Sequence, residues 1–289
     1  MSARNPSHKW FPRGYIRDLA VAVDWLTITV SDTPGREMLL QKFQRIAEAL
    51  SMMGETKKSW GVRDYRGFKC GGARWGTRRT DDILILSGVD AQAYWRIFAA
   101  HATNCSRLDL AVTCQTRRCY PHLLDTYLAE IREIEGYKTR GYRIDKDVQN
   151  FGKTLYVGSR ASDQFGRVYD KAAEQRDPVN IHRRWRYEVE YKNDYAREGL
   201  DNLLSLDEPT DLPPLIQNTV WFWFDHRGIP PLFERTSGKT EFEVAAKVTD
   251  TSRRLSWLST QVRPTIQELM RAGLEEDVFR ALGISRGES

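Results

Sequence analysis

No apolar run in the 289-residue sequence approaches the roughly 20 residues that a membrane-crossing helix needs. Residues 1–17 are polar and basic with no apolar stretch behind them, so the expected location is the cytoplasm, with no membrane partner. Cysteine is scarce: Cys70, Cys105, Cys114 and Cys119 show no close-paired framework, which excludes a disulfide scaffold. Cys114, Cys119 and His122 lack a second ligand pair nearby, which argues against zinc. The five histidines never form a His-x-His pair. There is no Gly-x-x-x-x-Gly-Lys-[Ser/Thr] loop for nucleoside triphosphates, no internal repeat and no low-complexity tract.

What the chain does have is core material and clustered charge. It is 40% hydrophobic with nine tryptophans, enough for a substantial core. The net charge of +5 is modest, but it is concentrated. Residues 57–79 carry Lys57, Lys58, Arg63, Arg66, Lys69, Arg74, Arg78 and Arg79, interleaved with Trp60, Tyr65, Phe68 and Trp75. Cations there suit DNA phosphates, and the aromatics suit stacking on unpaired bases; a β-hairpin with its rings turned inward is the plain structural alternative. A second basic stretch, 176–186, leads into the run Arg-Trp-Arg-Tyr-Glu-Val-Glu-Tyr-Lys at 184–192.

In an extended strand, side chains alternate between faces. Arg184, Arg186, Glu188, Glu190 and Lys192 therefore share one face, and Trp185, Tyr187, Val189 and Tyr191 the other. Carboxylates supply the hard oxygens that Mg²⁺ or Mn²⁺ prefers, and the bases neutralise phosphate, so this face suits a metal-assisted phosphate site. Cross-strand ion pairs would use the same residues. Tyr169 lies among Arg167, Asp170 and Lys171, and such cations are expected to ease ionisation of its phenol into a nucleophile. In 105–113, Arg107, Asp109 and Ala111 alternate with Leu108, Leu110 and Val112; Asp109 needs either an Arg107 partner or a chemical role.

Periodicity and turn signals predict strands at 20–30, 82–86, 105–113, 154–157, 166–169 and 184–192, a hairpin over 57–79, and helices at 37–53, 91–101 and 120–135. After residue 195 the pattern is helical, with four consecutive aromatics at 221–224 read as core and further helices over 241–283. The fold class is α+β: a largely antiparallel sheet flanked by helices, with residues 1–235 as the main domain and 236–289 as a helical C-terminal segment.

Three segments together resemble the replication initiation factor (Rep-trans) family of rolling-circle initiators and related relaxases. They are Ser106-Arg107-Leu108-Asp109-Leu110-Ala111, the stretch 155–175 containing Arg167-Val168-Tyr169-Asp170-Lys171, and Trp185 to Lys192. The resemblance implies site-specific, metal-dependent nicking of one origin strand, leaving a 5′-phosphotyrosyl link and a free 3′-hydroxyl. It places the nucleophile at Tyr169, flanked by Arg167 and Lys171, and the Mg²⁺ or Mn²⁺ ligands at Asp109, Glu188 and Glu190. Arg160, Arg186 and Lys192, with Lys57, Lys58, Arg63, Arg66, Arg74 and Arg78, are expected to contact DNA. Implied partners are single-stranded or hairpin origin DNA, a host helicase and polymerase, and a second copy in a homodimer. A conjugative relaxase, a catalytically silent DNA-binding regulator and a water-using metal nuclease stay open as alternatives.

Overall fold

A computed structural model describes residues 16–31, 33–133, 142–146, 153–237 and 263–282. The chain divides into two compact units, Met1–Glu243 and Val244–Ser289.

The first unit is built on a ten-stranded sheet. Its strands are β1 (Ile16–Val30), β2 (Lys58–Val62), β3 (Tyr65–Cys70), β4 (Ala73–Thr77), β5 (Asp82–Ser87), β6 (Asn104–Thr116), β7 (Tyr142–Lys146), β8 (Lys153–Val157), β9 (Gln164–Asp170) and β10 (Arg184–Lys192). The order across the sheet is β2-β3-β4-β5-β1-β6-β10-β9-β8-β7, with antiparallel neighbours throughout. The α+β expectation holds. Strand 184–192 begins and ends where its alternation predicts.

The helices of this unit are α1 (Thr33–Met52), α2 (Val89–Ala99), α3 (Leu123–Glu133), the single turn α4 (Lys171–Glu174), α5 (Asn193–Leu204) and α6 (Leu212–Asp225). One sheet face is apolar in register: Trp75 pairs with Leu84, Leu26 with Leu108, and Leu108 with Tyr191. Helices cover it. Phe43 of α1 packs against Phe68, Trp75 and Phe98, while Phe224 of α6 meets the Tyr187 ring edge-on at 5.5 Å. Tyr127 of α3 shares a 2.7 Å hydrogen bond with the Tyr187 hydroxyl. Of the aromatics at 221–224, expected in the core, Trp223 and Phe224 are buried, Trp221 is half-buried and Phe222 is exposed.

One expectation needs correction, and one strand was not foreseen. Residues 57–79 form a three-stranded meander rather than a hairpin, because the chain reverses a second time at Gly71-Gly72, where Gly71 takes φ +58°. Strand β7 was not among the expected strands, although Tyr142-Arg143-Ile144-Asp145 alternates apolar and polar residues.

The second unit contains α7 (Arg263–Arg271) and α8 (Glu275–Leu282), joined through Gly273 at φ +77°, with Val278 buried. The rest of the expected helical stretch 241–283 lies outside the described residues.

Candidate nicking site

The sheet face opposite the helices gathers the chemistry. In register, Glu190 stands opposite Asp109, Lys192 opposite Arg107, Glu188 opposite both Ala111 and Arg167, and Arg186 opposite both Thr113 and Tyr169. Three adjacent strands, β6, β10 and β9, thus bring Asp109, Tyr169, Glu188 and Glu190 onto one face; alternation implied this for Glu188 and Glu190, and the register adds Asp109 and Tyr169.

Tyr169 is buried, and its hydroxyl donates to Glu188 Oε2 at 3.1 Å. Arg167 Nη2 holds the other oxygen of Glu188 in a short ion pair. Burial and the Glu188 charge raise the Tyr169 phenol well above its ordinary pKa, outweighing the pull of Arg186 and Arg167. This corrects the expectation of an easily ionised phenol: its hydroxyl faces a carboxylate, while Arg167 and Lys171 lie 5.8 Å and 5.7 Å from its ring centroid. Lys171 itself is paired with Glu174. Burial alone would raise the Glu188 carboxyl, but Arg167 and then Arg186 bring it below the usual carboxylate value.

Arg186 is the unusual cation. Its side chain is only 6% exposed, its Nη2 lies 2.5 Å from Asp24 Oδ1 and its Nε 3.7 Å from Glu188 Oε2. Yet neither Nε nor Nη2 makes a hydrogen bond of good geometry. Asp24 was not legible as a site residue. It reaches Arg186 because the register of β1 against β6 shifts between Val23 and Trp25, a local irregularity that no single-strand pattern reveals.

The second cluster is a chain of ion pairs. Arg107 holds both oxygens of Asp109, at 2.8 and 2.6 Å, and its Nη2 also lies 2.9 Å from Glu190 Oε2. Lys192 takes the other Glu190 oxygen at 2.9 Å. Burial pushes the Asp109 carboxyl upward, with Arg107 pulling the other way.

The donor set has the right chemistry for Mg²⁺ or Mn²⁺, but its arrangement does not fit an ion. All six oxygens of Asp109, Glu188 and Glu190 face an arginine, a lysine or the phenol. A nitrogen of Arg107 sits where Asp109 and Glu190 converge. Among the described residues no three His, Cys, Asp or Glu side chains come together as a metal-binding group. Cys70, Cys105 and Cys114 are buried free thiols, and Cys119 is exposed.

The other expected DNA contacts are spread more widely. Arg160, exposed in the β8–β9 turn, lies over the Tyr156 and Phe165 rings at 5.4 and 5.7 Å. Lys57, Lys58, Arg63 and Arg66 are exposed on the meander, Arg74 is half-buried, and Arg78 is tied to Asp81. The idea of an aromatic stacking platform there fails for three of its four rings. Trp75 and Phe68 pack against Phe43, and Tyr65 is buried with its hydroxyl donating to Asp81; Trp60 alone stays half-exposed on the sheet face away from the helices.

The family model described as replication initiation factor matches residues 104–282, more than half of the chain. The chain belongs to the replication initiation factor family. Among solved structures, it is similar to the rolling circle replication initiator protein from Geobacillus stearothermophilus. The two share 17% identity over 77% of this chain and 89% of that chain, with a TM-score of 0.47. A search of curated proteins found no match. In this initiation factor the matched span runs from β6 to α8 and includes Asp109, Tyr169, Glu188 and Glu190, whereas the β2–β4 meander lies outside it.

Proposed function

We propose that this protein starts rolling-circle replication by nicking one strand of its origin DNA with Tyr169. The observation that carries the reading is the Tyr169–Glu188 hydrogen bond beside Arg186, a buried cation ion-paired with Asp24 but without a hydrogen bond of good geometry at Nε or Nη2. The Tyr169 oxygen attacks the phosphorus while Glu188 takes the phenol proton. The bond from phosphorus to the 3′-oxygen breaks, and that oxygen takes a proton from water, leaving a 5′-phosphotyrosyl link and a free 3′-hydroxyl. In the reverse step the 3′-hydroxyl gives its proton back to solvent as its oxygen attacks the link, the phosphorus–Tyr169 bond breaks, and Glu188 returns the proton to Tyr169. No ATP is needed, because the ester bond is exchanged rather than hydrolysed.

Arg186 supplies the charge that an incoming phosphate needs, since two of its donors make no well-formed hydrogen bond to a protein acceptor. A phosphate that also draws Arg167 from Glu188 makes that carboxylate a better base at the moment it is required. Lys192 and Arg160 flank the path of the strand. A host helicase unwinds ahead of the nick and a host polymerase extends the 3′-end. A pair of copies would nick and rejoin in turn.

One test is incubation of wild-type protein and Tyr169→Phe with a labelled single-stranded oligonucleotide from the protein's own origin, with Mn²⁺ or with a chelator, followed by a denaturing gel. A slow-migrating protein–DNA adduct in wild type alone supports the reading. Cleavage without an adduct would instead indicate water as nucleophile. DNA binding without cleavage would favour a regulator, a second reading that the fully paired carboxylates favour. Loss of the adduct in chelator alone would mean that Arg107 gives way to an ion.

A further inference from the structure

Every cation close to Tyr169 has a carboxylate within reach, but those in the middle of the meander do not. Lys58 on β2, Lys69 on β3 and Arg74 on β4 stand directly opposite one another in register. None of the three makes an ion pair among the described residues. Asp64, in the β2–β3 turn, is the only acid in residues 57–79. Like charges opposite each other on neighbouring strands, about 4.8 Å apart, repel and cost stability. None of the three has an acid within ion-pair distance among the described residues; Arg74 instead donates to Ser87 Oγ at 3.5 Å, and burial lowers its pKa.

The row lies on the same face as the nicking site. Arg74 pairs in register with Ile85, Ile85 with Thr27, and Thr27 with Arg107. Between the two basic groups sits the half-buried Trp25, with Arg74 at 5.4 Å from its ring centroid and Arg107 at 4.3 Å.

We propose that Lys58, Lys69 and Arg74, continued by the Trp25 ring, form a track that holds the backbone of a single DNA strand and leads it to Tyr169. The proposal rests on the nicking reading and adds the surface that delivers the substrate. From β4 to β9 is five strand steps in the sheet order, about 24 Å at the usual strand spacing, which a few nucleotides of extended single strand cover. One row of cations matches one backbone. Trp25 offers a ring to an unpaired base, which a duplex, with its bases stacked inside, cannot use.

The test is binding of a fluorescently labelled oligonucleotide, single-stranded or duplex, over a salt series. The variant Lys58→Ala/Lys69→Ala/Arg74→Ala is expected to lose single-strand affinity about tenfold or more. The slope of log affinity against log salt should shrink by about 2, at roughly 0.7 for each phosphate that is no longer neutralised. Duplex binding should change much less. The triple variant should melt no lower than wild type, because repulsion has been removed. The charge-keeping variant Lys58→Arg/Lys69→Arg/Arg74→Lys should bind like wild type. Unchanged single-strand affinity and slope in the alanine variant would overturn the track, as would failure of the charge-keeping variant to bind. An equal loss for duplex would overturn the single-strand assignment. The adduct assay with Tyr169→Phe reads a different event, so the track can fail with nicking intact, and nicking with the track intact.

Discussion

Glu188 does two jobs at the scale of single residues: it accepts the hydrogen bond of the Tyr169 hydroxyl and neutralises Arg167. Glu188→Gln keeps the shape but removes the charge, leaving Arg167 without its counter-ion and the buried Arg186 with Asp24 alone. Breaking a buried ion pair from one side costs on the order of 3 kcal/mol, so a denaturant melt should show a loss of that size together with loss of adduct. A stability change near zero would mean the pair is solvated. Arg107 poses the opposite question, since it occupies the meeting point of Asp109 and Glu190. Arg107→Ala should free these carboxylates and tighten Mn²⁺ binding, read from the electron paramagnetic resonance of free ion in a titration. An unchanged affinity would show that the pair is not a latent cation site. The contrast between the two also marks what the sequence could say about chemistry. Period-two alternation was enough to place Glu188 and Glu190 on one face of their strand and Asp109 on the polar side of its own, and the family resemblance joined the three; the direction of the Tyr169 shift depends on burial and on which atom its hydroxyl meets.

Elements are held in place by contacts of similar economy. Gly166 on β9 lies under α6, where an added Cβ would come within 2.2 Å of the Trp223 ring. Gly166→Ala should therefore push α6 off the sheet edge or strain it, costing about 1–3 kcal/mol; equilibrium unfolding measures this, and a variant as stable as wild type would show that the helix shifts freely. The indole of Trp223 also donates to Gln164 at 2.8 Å, so the same strand fixes the ring from two sides. Strands with strict alternation, β6 and β10, were readable because one face is apolar and the other charged. The meander reads as a hairpin in the sequence despite Gly71-Gly72, because a glycine pair inside a basic, aromatic segment signals a turn without saying how many strands it joins. Asp24 was hidden for a related reason: an irregular register exists only between paired strands, and the pairing of β1 with β6 spans more than eighty residues of chain.

Across the whole molecule, buried phenols sit on both faces of the sheet and tie its fold to pH. Tyr187 is fully buried against α6 and α3, and its pKa is raised far above the ordinary value by burial, then by Tyr127. Tyr169, on the opposite face, is raised in the same direction. Tyr65, at the meander end of the sheet, is pushed up to about 12, by burial first and then by its hydrogen bond to Asp81. A phenol whose folded pKa lies above its unfolded value of about 10 stabilises the fold fully below that pH, and the contribution drains away as pH rises toward the folded value. For Tyr65 that window is pH 10 to about 12; for Tyr169 and Tyr187 the loss begins at the same point and continues higher. The protein should therefore unfold cooperatively on the alkaline side, with the tyrosinate absorbance of the buried phenols appearing together with loss of the far-ultraviolet circular dichroism of the sheet. Tyr65→Phe should flatten the first part of that decline, since phenylalanine has no proton to lose. If all twelve tyrosines titrated near pH 10 with the circular dichroism intact, the phenols would be solvated, and the closed Tyr169–Glu188 pair on which the proposed nicking step depends would not exist in solution.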